Sequence, residues 1–267
     1  MVQVVTARSV IRGRVASGTL LVGRAWIAAL IVASVAAQLS VSLVFWEAMG
    51  YLDGPRNVVN YLSFFTVQSN LLAVVVLALL VVAQLGGPRL ARRLGRRFDV
   101  LLLGTTSYML VTGIVYNAAM RDVELPQGAT VDWSNEVLHL IAPLWMLIDW
   151  FLSPRRRRLQ WWDLGTITIF PLLWLGATFL RAPQTVAQAN ETPYWYPMLD
   201  PATYDNGVFG VLATCLGVAA LLLAVGAGQL GYARWRASRQ RASRQRTERE
   251  LAPARTVTRP RATSGMR

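Results

Sequence analysis

The chain has 267 residues, 54% of them hydrophobic, and a formal net charge of +13. All 27 basic residues are arginines, and the sequence contains one histidine and one cysteine. A single cysteine excludes an internal disulfide and a CxxC redox centre, and the absence of lysine excludes a retinal-type Schiff base. One histidine excludes bis-histidine haem ligation and, with one distant cysteine, an ordinary zinc site. We therefore expect no metal and no cofactor.

The hydrophobic residues come in long runs, which predicts an all-α polytopic integral membrane protein. Six runs of about 20 residues are each long enough to cross a hydrocarbon core of ~30 Å as a helix. Open strands would leave their backbone groups unpaired in lipid. The first run is too long for a secretory signal peptide, so we interpret it as a true span. The predicted spans of this six-helix bundle are 22–46, 61–85, 98–120, 134–152, 161–180 and 207–232.

The arginines are distributed very unevenly between the two sides of such a bundle. Twenty-four of them lie in the two terminal segments, at the start of span one (Arg24), in the loop between spans two and three, and in the loop between spans four and five. The other three are Arg56, Arg121 and Arg181. This asymmetry places both termini in the cytoplasm. The net charge then reflects orientation and attraction to anionic inner-leaflet lipids, so we expect membrane lipids as partners and no nucleic acid.

The ends of the chain differ in composition from the predicted bundle. Residues 1–21 form a cytoplasmic N-terminal arm, and residues 22–233 form the transmembrane domain. The tail from 234 to 267 is polar and arginine-rich, and it repeats Arg-Ala-Ser-Arg-Gln at 236–240 and 241–245. A segment of this composition cannot bury a core, which predicts a disordered cytoplasmic tail.

The outer half of the predicted bundle collects polar side chains, including the only histidine. Thr66 in span two and His139 in span four each lie six residues inside the predicted outer helix start, or roughly 9 Å deep. Ser63, Thr66 and Asn70 recur at helical spacing, which predicts one shared face. Asn117 of span three reaches the same level from the opposite direction. An ionisable group at this depth is a functional hypothesis in its own right.

A hydroxyl facing an imidazole in a dry site provides the minimum parts of an acyl-transfer centre. Taken alone, Thr66 is more often structural than catalytic, because Thr in membrane helices commonly bonds the carbonyl four residues earlier or joins neighbouring helices. Two groups of side chains could support a Thr66–His139 pair. Candidates for binding a developing oxyanion are Asn70, Gln68 and Asn117, and candidates for orienting the imidazole are Asn135 and Glu136.

The last outer segment, 181–206, is the longest and the richest in aromatic residues. Its Tyr-Trp-Tyr-Pro sequence at 194–197 fits an interfacial aromatic belt. It could also fold back over the outer cavity as a lid, with Tyr196 and Asp200 as possible lid residues.

Three stretches in this order resemble the androgen-induced and androgen-dependent multi-pass proteins, which are intramembrane threonine hydrolases. They are Phe64-Phe65-Thr66; Trp133-x-Asn135-x-x-x-His139 followed by Pro143 and Asp149; and Tyr196-Pro197-x-Leu199-Asp200. The resemblance covers about residues 25–232 and is closest to bacterial six-span members, which implies a multi-pass protein of the bacterial plasma membrane. It further implies that Thr66 is the nucleophile, His139 is its general base, and fatty acid esters of hydroxy fatty acids are the substrates. The Val-Gln-Ser-Asn that follows Thr66 departs from the animal pattern.

Two other classes of function remain compatible with these residues. The same polar cavity could serve a non-enzymatic lipid-binding or small-molecule transport protein. Alternatively, the polar residues could only hold helices together in a structural membrane partner. The enzyme hypothesis requires both Thr66 and His139, whereas a binding role would tolerate loss of the Thr66 hydroxyl better than loss of the surrounding amides.

Overall fold

The computed structural model describes residues 2–51, 53–123, 130–153, 159–182, 194 and 196–256, of which 2–16, 88, 92 and 247–256 are described by backbone alone. All regular structure in these residues is helical. They form six helices long and apolar enough to cross a membrane, at Ser17–Ala48, Phe65–Leu85, Gly95–Met120, Asp132–Leu152, Asp163–Arg181 and Val208–Arg246. The predicted all-α, six-span bundle is therefore confirmed. We call the ends away from the arginine-rich segments the outer ends.

Several of these spans consist of more than one helical segment. The α-helices are α1 Val2–Ala48, α2 Gly54–Leu62, α3 Phe65–Leu85, α4 Gly87–Arg93, α5 Gly95–Val115, α6 Asp132–Glu136, α7 Ala142–Leu152, α8 Asp163–Ile167, α9 Ile169–Arg181 and α10 Val208–Thr256. A π-helical turn at Tyr116–Met120 extends α5, and a second one at Val137–Ile141 joins α6 to α7. Short 3₁₀ turns at Pro197–Leu199 and Pro201–Thr203 precede α10.

The second span begins later than its hydropathy predicts, because the chain breaks between α2 and α3. Phe64 adopts φ −59° and ψ 132°, which is not helical, and it redirects the chain into α3. The Ser63 carbonyl at this break accepts a hydrogen bond from Trp174 Nε1 at 2.8 Å, a tertiary bond that no local pattern reveals. Thr66 is therefore the second residue of α3, and the predicted depth of six residues is wrong. The predicted face shared by Ser63, Thr66 and Asn70 is also wrong, since Ser63 precedes the helix.

Helix α5 lies at the centre of the bundle and the last two spans lie at its edge. In the most apolar stretch of the third span 72% of residues are buried, against 17% in each of the fifth and sixth spans. Leu102, Leu103 and Met109 of α5 are completely buried. Leu173 of α9 and Leu216 of α10 are largely exposed. The third span thus positions the others, and the last two present most of their apolar surface to lipid.

A buried polar network joins α1, α3 and α7 near their inner ends. Arg24 Nε donates to Asp149 Oδ1 at 2.8 Å, and both side chains are almost completely buried. Arg24 also donates to Gln84 Oε1 of α3 at 2.7 Å and to the hydroxyl of Ser153. A buried charge is tolerated only when it is paired and hydrogen-bonded in this way. Arg24, which the charge pattern counted with the cytoplasmic arginines, is instead an internal helix-joining residue.

The structure differs from the sequence prediction in the C-terminal tail. Helix α10 continues through residue 234 as far as Thr256, where disorder was expected. Arginine, glutamine, glutamate and alanine are all good helix formers, so this composition permits a helix without a packed core. Residues 257–267 of the predicted tail lie outside the described residues.

Candidate active site

Thr66 and His139 meet at the outer end of the bundle. Thr66 lies in the first turn of α3, and His139 lies in the π turn between α6 and α7. Thr66 Oγ1 is 3.3 Å from His139 Nε2, which is within reach of a loose nucleophile–base hydrogen bond. His139 is buried, with 8% of its surface exposed, whereas Thr66 is partly exposed. Thr66 is therefore the more accessible residue of the pair.

The second ring nitrogen of His139 defines the tautomer. His139 Nδ1 is 3.0 Å from the backbone carbonyl oxygen of Asn135. A carbonyl oxygen only accepts hydrogen bonds, so Nδ1 must carry the proton and donate it. In the neutral imidazole Nε2 is then the acceptor and faces the Thr66 hydroxyl. Thr66, His139 and the backbone carbonyl of Asn135 are thus arranged as a nucleophile, a base and a group that orients the base.

Tyr116 holds the imidazole plane from the side of α5. Its ring stacks on the His139 ring, with centroids 3.8 Å apart and planes inclined by 21°. Its hydroxyl accepts a hydrogen bond from the side-chain amide of Asn135. Tyr116 and His139 both belong to π-helical turns, which occur often at functional sites. The sequence pattern did not assign Tyr116 to the site, because π turns leave no hydropathy signal.

The three amide side chains predicted to bind an oxyanion are engaged elsewhere. Asn70 Nδ2 donates to the carbonyls of Thr66 at 2.9 Å and Leu138 at 3.3 Å. Asn117 Nδ2 donates to the carbonyls of Gly113 at 2.8 Å and His139 at 3.2 Å, and Gln68 Nε2 donates to the Leu62 carbonyl at 3.1 Å. An amide nitrogen has two N–H donors, so Asn70 and Asn117 have none left for a ligand.

These amides instead fix the backbone around the pair. Asn70 bridges α3 and the π turn that carries His139. Pro143 has no N–H to offer the His139 carbonyl four residues earlier, and Asn117 donates to that carbonyl from α5. The geometry therefore assigns Asn70 and Asn117 a positioning role.

The predicted orienting residues act differently from expectation. Asn135 orients the imidazole through its backbone carbonyl and not through its side chain. Glu136 does not contact the ring: its carboxylate accepts from Arg121 Nη1 at 2.6 Å. Arg121 also donates to Asn117 Oδ1 at 2.6 Å and lies 5.7 Å from the centroid of the Tyr116 ring, so the ion pair reaches the site through these two residues. Glu136 and Arg121 thus form a rim outside the Thr66–His139 pair.

Tyr196 of the last outer segment packs over the start of α3. Its ring makes edge-to-face contacts with Phe64 and Trp174, at centroid distances of 5.5 and 5.9 Å. Burial raises the pKa of the Tyr196 phenol, and hydrogen bonding with Thr66 and with the Phe65 backbone opposes that rise. Tyr196 therefore stays protonated at neutral pH, with its hydroxyl at Thr66. This position favours the lid interpretation over the interfacial belt.

The rest of the possible lid is less closely connected to the site. Asp200 accepts a hydrogen bond from the Ala202 amide at 2.9 Å and so caps a 3₁₀ turn of its own segment. Its predicted part in a lid is limited to shaping the chain after Tyr196. Residues 183–193 and 195, which include Trp195 of the aromatic motif, lie outside the described residues.

Gly113 allows α5 to approach His139 closely, and its replacement should disturb the site. A Cβ at this position would lie 2.7 Å from the His139 carbonyl oxygen and 3.3 Å from Pro143 Cβ. We expect Gly113→Ala to push the π turn away from α5, lowering stability by about 1–3 kcal/mol as overpacking does. Thermal unfolding of the purified protein in detergent measures this loss.

Gly176 provides the matched control for that substitution. It lies in α9, and a Cβ there would meet nothing within 4 Å. Gly176→Ala should be neutral or slightly stabilising, because Ala loses less conformational freedom in a helix than Gly does. Equal melting temperatures for the two variants would show that the contact between α5 and His139 is not tight.

Comparison with family models, with curated proteins and with solved structures finds no match to this chain. The class of protein that the fold defines is an all-α, multi-pass membrane bundle. The family resemblance of its three motifs stays a prediction.

Proposed function

We propose that this protein is an intramembrane hydrolase of lipid carboxylic esters, with Thr66 as nucleophile and His139 as general base. The observation that carries the proposal is the 3.3 Å approach of Thr66 Oγ1 to His139 Nε2, with Nδ1 bonded to a carbonyl. A structural threonine in a helix would more commonly bond its own backbone. The distance and the tautomer together supply what nucleophilic catalysis by a hydroxyl needs.

The proposed reaction proceeds in two balanced halves. Nε2 of His139 takes the Thr66 proton as Oγ1 attacks the ester carbonyl, and the imidazolium then returns that proton to the leaving alcohol. The product of this half is an acyl-threonine. In the second half Nε2 takes a proton from water, the resulting hydroxide attacks the acyl group, and the carboxylic acid leaves as Thr66 regains its hydrogen. The Asn135 carbonyl stabilises the transient imidazolium through the hydrogen bond from Nδ1.

The oxyanion of each tetrahedral intermediate needs hydrogen-bond donors that the amide side chains do not provide. The backbone amides of Phe65 and Thr66 belong to the first turn of α3, where no intrahelical acceptor exists, and they face the Tyr196 phenol oxygen, whose place as acceptor an oxyanion would take. The Tyr196 hydroxyl lies against these same two residues. Two amides and a phenol therefore lie beside the nucleophile, an arrangement suited to stabilising developing negative charge.

The location of the pair and the family resemblance support the proposed substrate class. Thr66 lies at the outer end of a membrane-spanning helix. A long-chain ester could reach it laterally from the outer leaflet without leaving the bilayer. Among such esters, the resemblance of the Thr66 and His139 motifs favours fatty acid esters of hydroxy fatty acids.

Hydrolysis of a palmitoyl ester of hydroxystearic acid by purified, detergent-solubilised protein tests the proposal directly. Release of palmitate, followed by mass spectrometry, should depend on protein concentration and should be absent in Thr66→Ala protein of matched folding. No turnover across a short panel of lipid esters would contradict the proposal and favour the alternative of a lipid-binding or transport protein. Turnover that persisted in both Thr66→Ala and His139→Ala would show that the pair is structural.

Tyr196→Phe should lower kcat about 10- to 100-fold while KM changes little. The substitution keeps the ring contacts with Phe64 and Trp174 but removes the hydroxyl beside Thr66. Loss of one oxyanion donor typically costs on the order of 10²–10³ in kcat, and the two backbone amides would still be in place. The steady-state kinetics of lipid ester hydrolysis measures this effect.

Tyr194→Phe is the matched control, because Tyr194 belongs to the same segment but packs on Phe179 at a centroid distance of 6.0 Å. We expect parental kinetics for this variant. A Tyr196→Phe enzyme as fast as the parent would assign the phenol a packing role alone.

A further inference from the structure

Arg181, at the outer end of α9, differs from the other two outer arginines in its partners. Arg56 pairs with Asp53 at 2.9 Å and Arg121 pairs with Glu136 at 2.6 Å. Among the described residues, no carboxylate lies within 4 Å of Arg181. Within the described part of the chain, Arg181 is thus the outer arginine that contacts neutral groups only, and no described carboxylate neutralises its charge.

The guanidinium of Arg181 is oriented by two neutral side chains. Nη1 donates to Ser63 Oγ at 2.6 Å, and Nη2 donates to Asn60 Oδ1 at 3.3 Å. A guanidinium has five N–H donors in a rigid fork, so these bonds fix its plane and leave others available. Arg181 is partly exposed, which allows a ligand to reach it. An oriented, partly exposed and unneutralised guanidinium is well suited to carboxylate or phosphate oxygens.

Arg181 also lies close to the proposed nucleophile. Its partner Ser63 is only three residues before Thr66, so their Cα atoms can be at most ~11 Å apart. Trp174, on the same helix as Arg181, donates to the Ser63 carbonyl and packs on Phe65 at a centroid distance of 5.2 Å. The Arg181 guanidinium thus contacts the chain on one side of the short break between α2 and α3, and Thr66 lies on the other side.

We propose that Arg181 binds an anionic oxygen group of the lipid substrate, a carboxylate or a phosphate, and thereby selects anionic esters over neutral ones. This inference rests on the proposed ester hydrolase function and specifies its substrate class. An anion held by Arg181 anchors the lipid beside Thr66, so that the ester bond of the same molecule is presented to the hydroxyl. The free carboxylate of a hydroxy-fatty-acid ester and the phosphate of a lysophospholipid share this chemistry, and both put an anion and an ester in one molecule.

A purely structural role for Arg181 predicts different behaviour. A cation at a helix C-terminus interacts favourably with the helix dipole, and its bonds to Ser63 and Asn60 could simply join α9 to α2. Such a role would affect charged and neutral substrates equally. The comparison of a charged lipid with its neutral counterpart therefore distinguishes the two roles.

The experiment uses two pairs of lipids whose members differ in their anionic group. One pair is palmitoyl-hydroxystearic acid and its methyl ester, and the other is lysophosphatidic acid and the corresponding monoacylglycerol. We expect the parent to hydrolyse the anionic member of at least one pair with the lower KM. Arg181→Gln should raise that KM about 10- to 100-fold, as expected for loss of a hydrogen bond to a charged group, and leave the neutral member unchanged. The pair that shows the effect identifies the source of the anion.

Arg56→Gln is the matched control, since it removes one positive charge from the same outer side at an exposed ion pair. Its KM values should equal those of the parent, and Arg181→Lys should retain part of the preference because it keeps the charge without the fork. No preference for either anionic lipid in the parent would overturn the inference. Equal weakening of the charged and neutral members by Arg181→Gln would overturn it as well.

A binding measurement keeps this inference separate from the hydrolase proposal. Native mass spectrometry of the Thr66→Ala protein reports lipid binding without turnover. If Thr66→Ala binds palmitoyl-hydroxystearic acid or lysophosphatidic acid more tightly than its neutral counterpart, and Thr66→Ala/Arg181→Gln does not, the Arg181 site is supported even where no hydrolysis is found. Equal binding of charged and neutral lipids beside active hydrolysis in the parent would refute the Arg181 site alone.

Discussion

Thr66→Ala is expected to lower ester hydrolysis by on the order of 10³-fold or more, whereas Thr66→Ser retains measurable turnover. The alanine variant lacks the oxygen that attacks the carbonyl, so no acyl-enzyme can form, and losses of this size follow removal of a nucleophile elsewhere. Serine keeps the oxygen but loses the methyl group that restricts its rotamer. Initial rates of fatty acid release from a hydroxy-fatty-acid ester measure both effects.

The structure indicates that the alanine variant will fold. The Thr66 side chain bonds His139, whereas the bonds from Ser69 and Asn70 use the Thr66 backbone carbonyl, which the substitution keeps. Thr66→Val is a control of nearly the same shape without the hydroxyl, and it should be as inactive as Thr66→Ala at a melting temperature close to the parent's. Parental rates in the valine variant would eliminate Thr66 as the nucleophile.

The number and approximate limits of the spans could be predicted because the bilayer dictates them. An apolar helix of about 20 residues pairs its own backbone groups in lipid, so long hydrophobic runs are sufficient to locate the spans. The start of the second span could not be predicted in this way. The Ser63 carbonyl at the break between α2 and α3 accepts a hydrogen bond from Trp174, which is 111 positions away in the sequence, and no local pattern predicts such a contact.

The candidate site shows the same division between local and tertiary information. Thr66 and His139 could be selected as partners, since an imidazole and a hydroxyl in apolar helices are chemically conspicuous. The positioning roles of Asn70 and Asn117 could not be predicted from the sequence. They depend on hydrogen bonds to backbone carbonyls of another helix. The stacking of Tyr116 on His139 depends on two π turns whose residues have no distinctive hydropathy.

Gly113 and Pro143 illustrate why these tertiary details matter for chemistry. Pro143 leaves the His139 carbonyl without its usual helical donor, and Gly113 lets α5 come close enough for Asn117 to replace that donor. Each residue alone is common in a membrane helix. Together they fix the backbone of the one residue whose side chain acts as the proposed base.

His139→Ala is expected to lower hydrolysis about 10²- to 10⁴-fold, which is the usual contribution of a general base. The variant keeps Thr66 and the backbone amides of α3, so a small residual rate should persist. Truncation also opens a flat space beside Tyr116, whose ring stacks on the imidazole at 3.8 Å in the parent. Imidazole added to the assay fits that space and should restore part of the lost rate, with saturation as its concentration rises.

Rescue of His139→Ala by added imidazole distinguishes a general base from a structural histidine. Free imidazole can transfer protons, but it cannot restore a contact that joins two helices. His139→Asn is the matched control. Its amide can still donate a hydrogen bond toward the Asn135 carbonyl, but it cannot accept a proton at neutral pH, so it should be folded, slow and insensitive to added imidazole. Full activity in His139→Asn would refute the base assignment. Rescue of His139→Ala alone would show that the imidazole facing Thr66 performs the proton transfer.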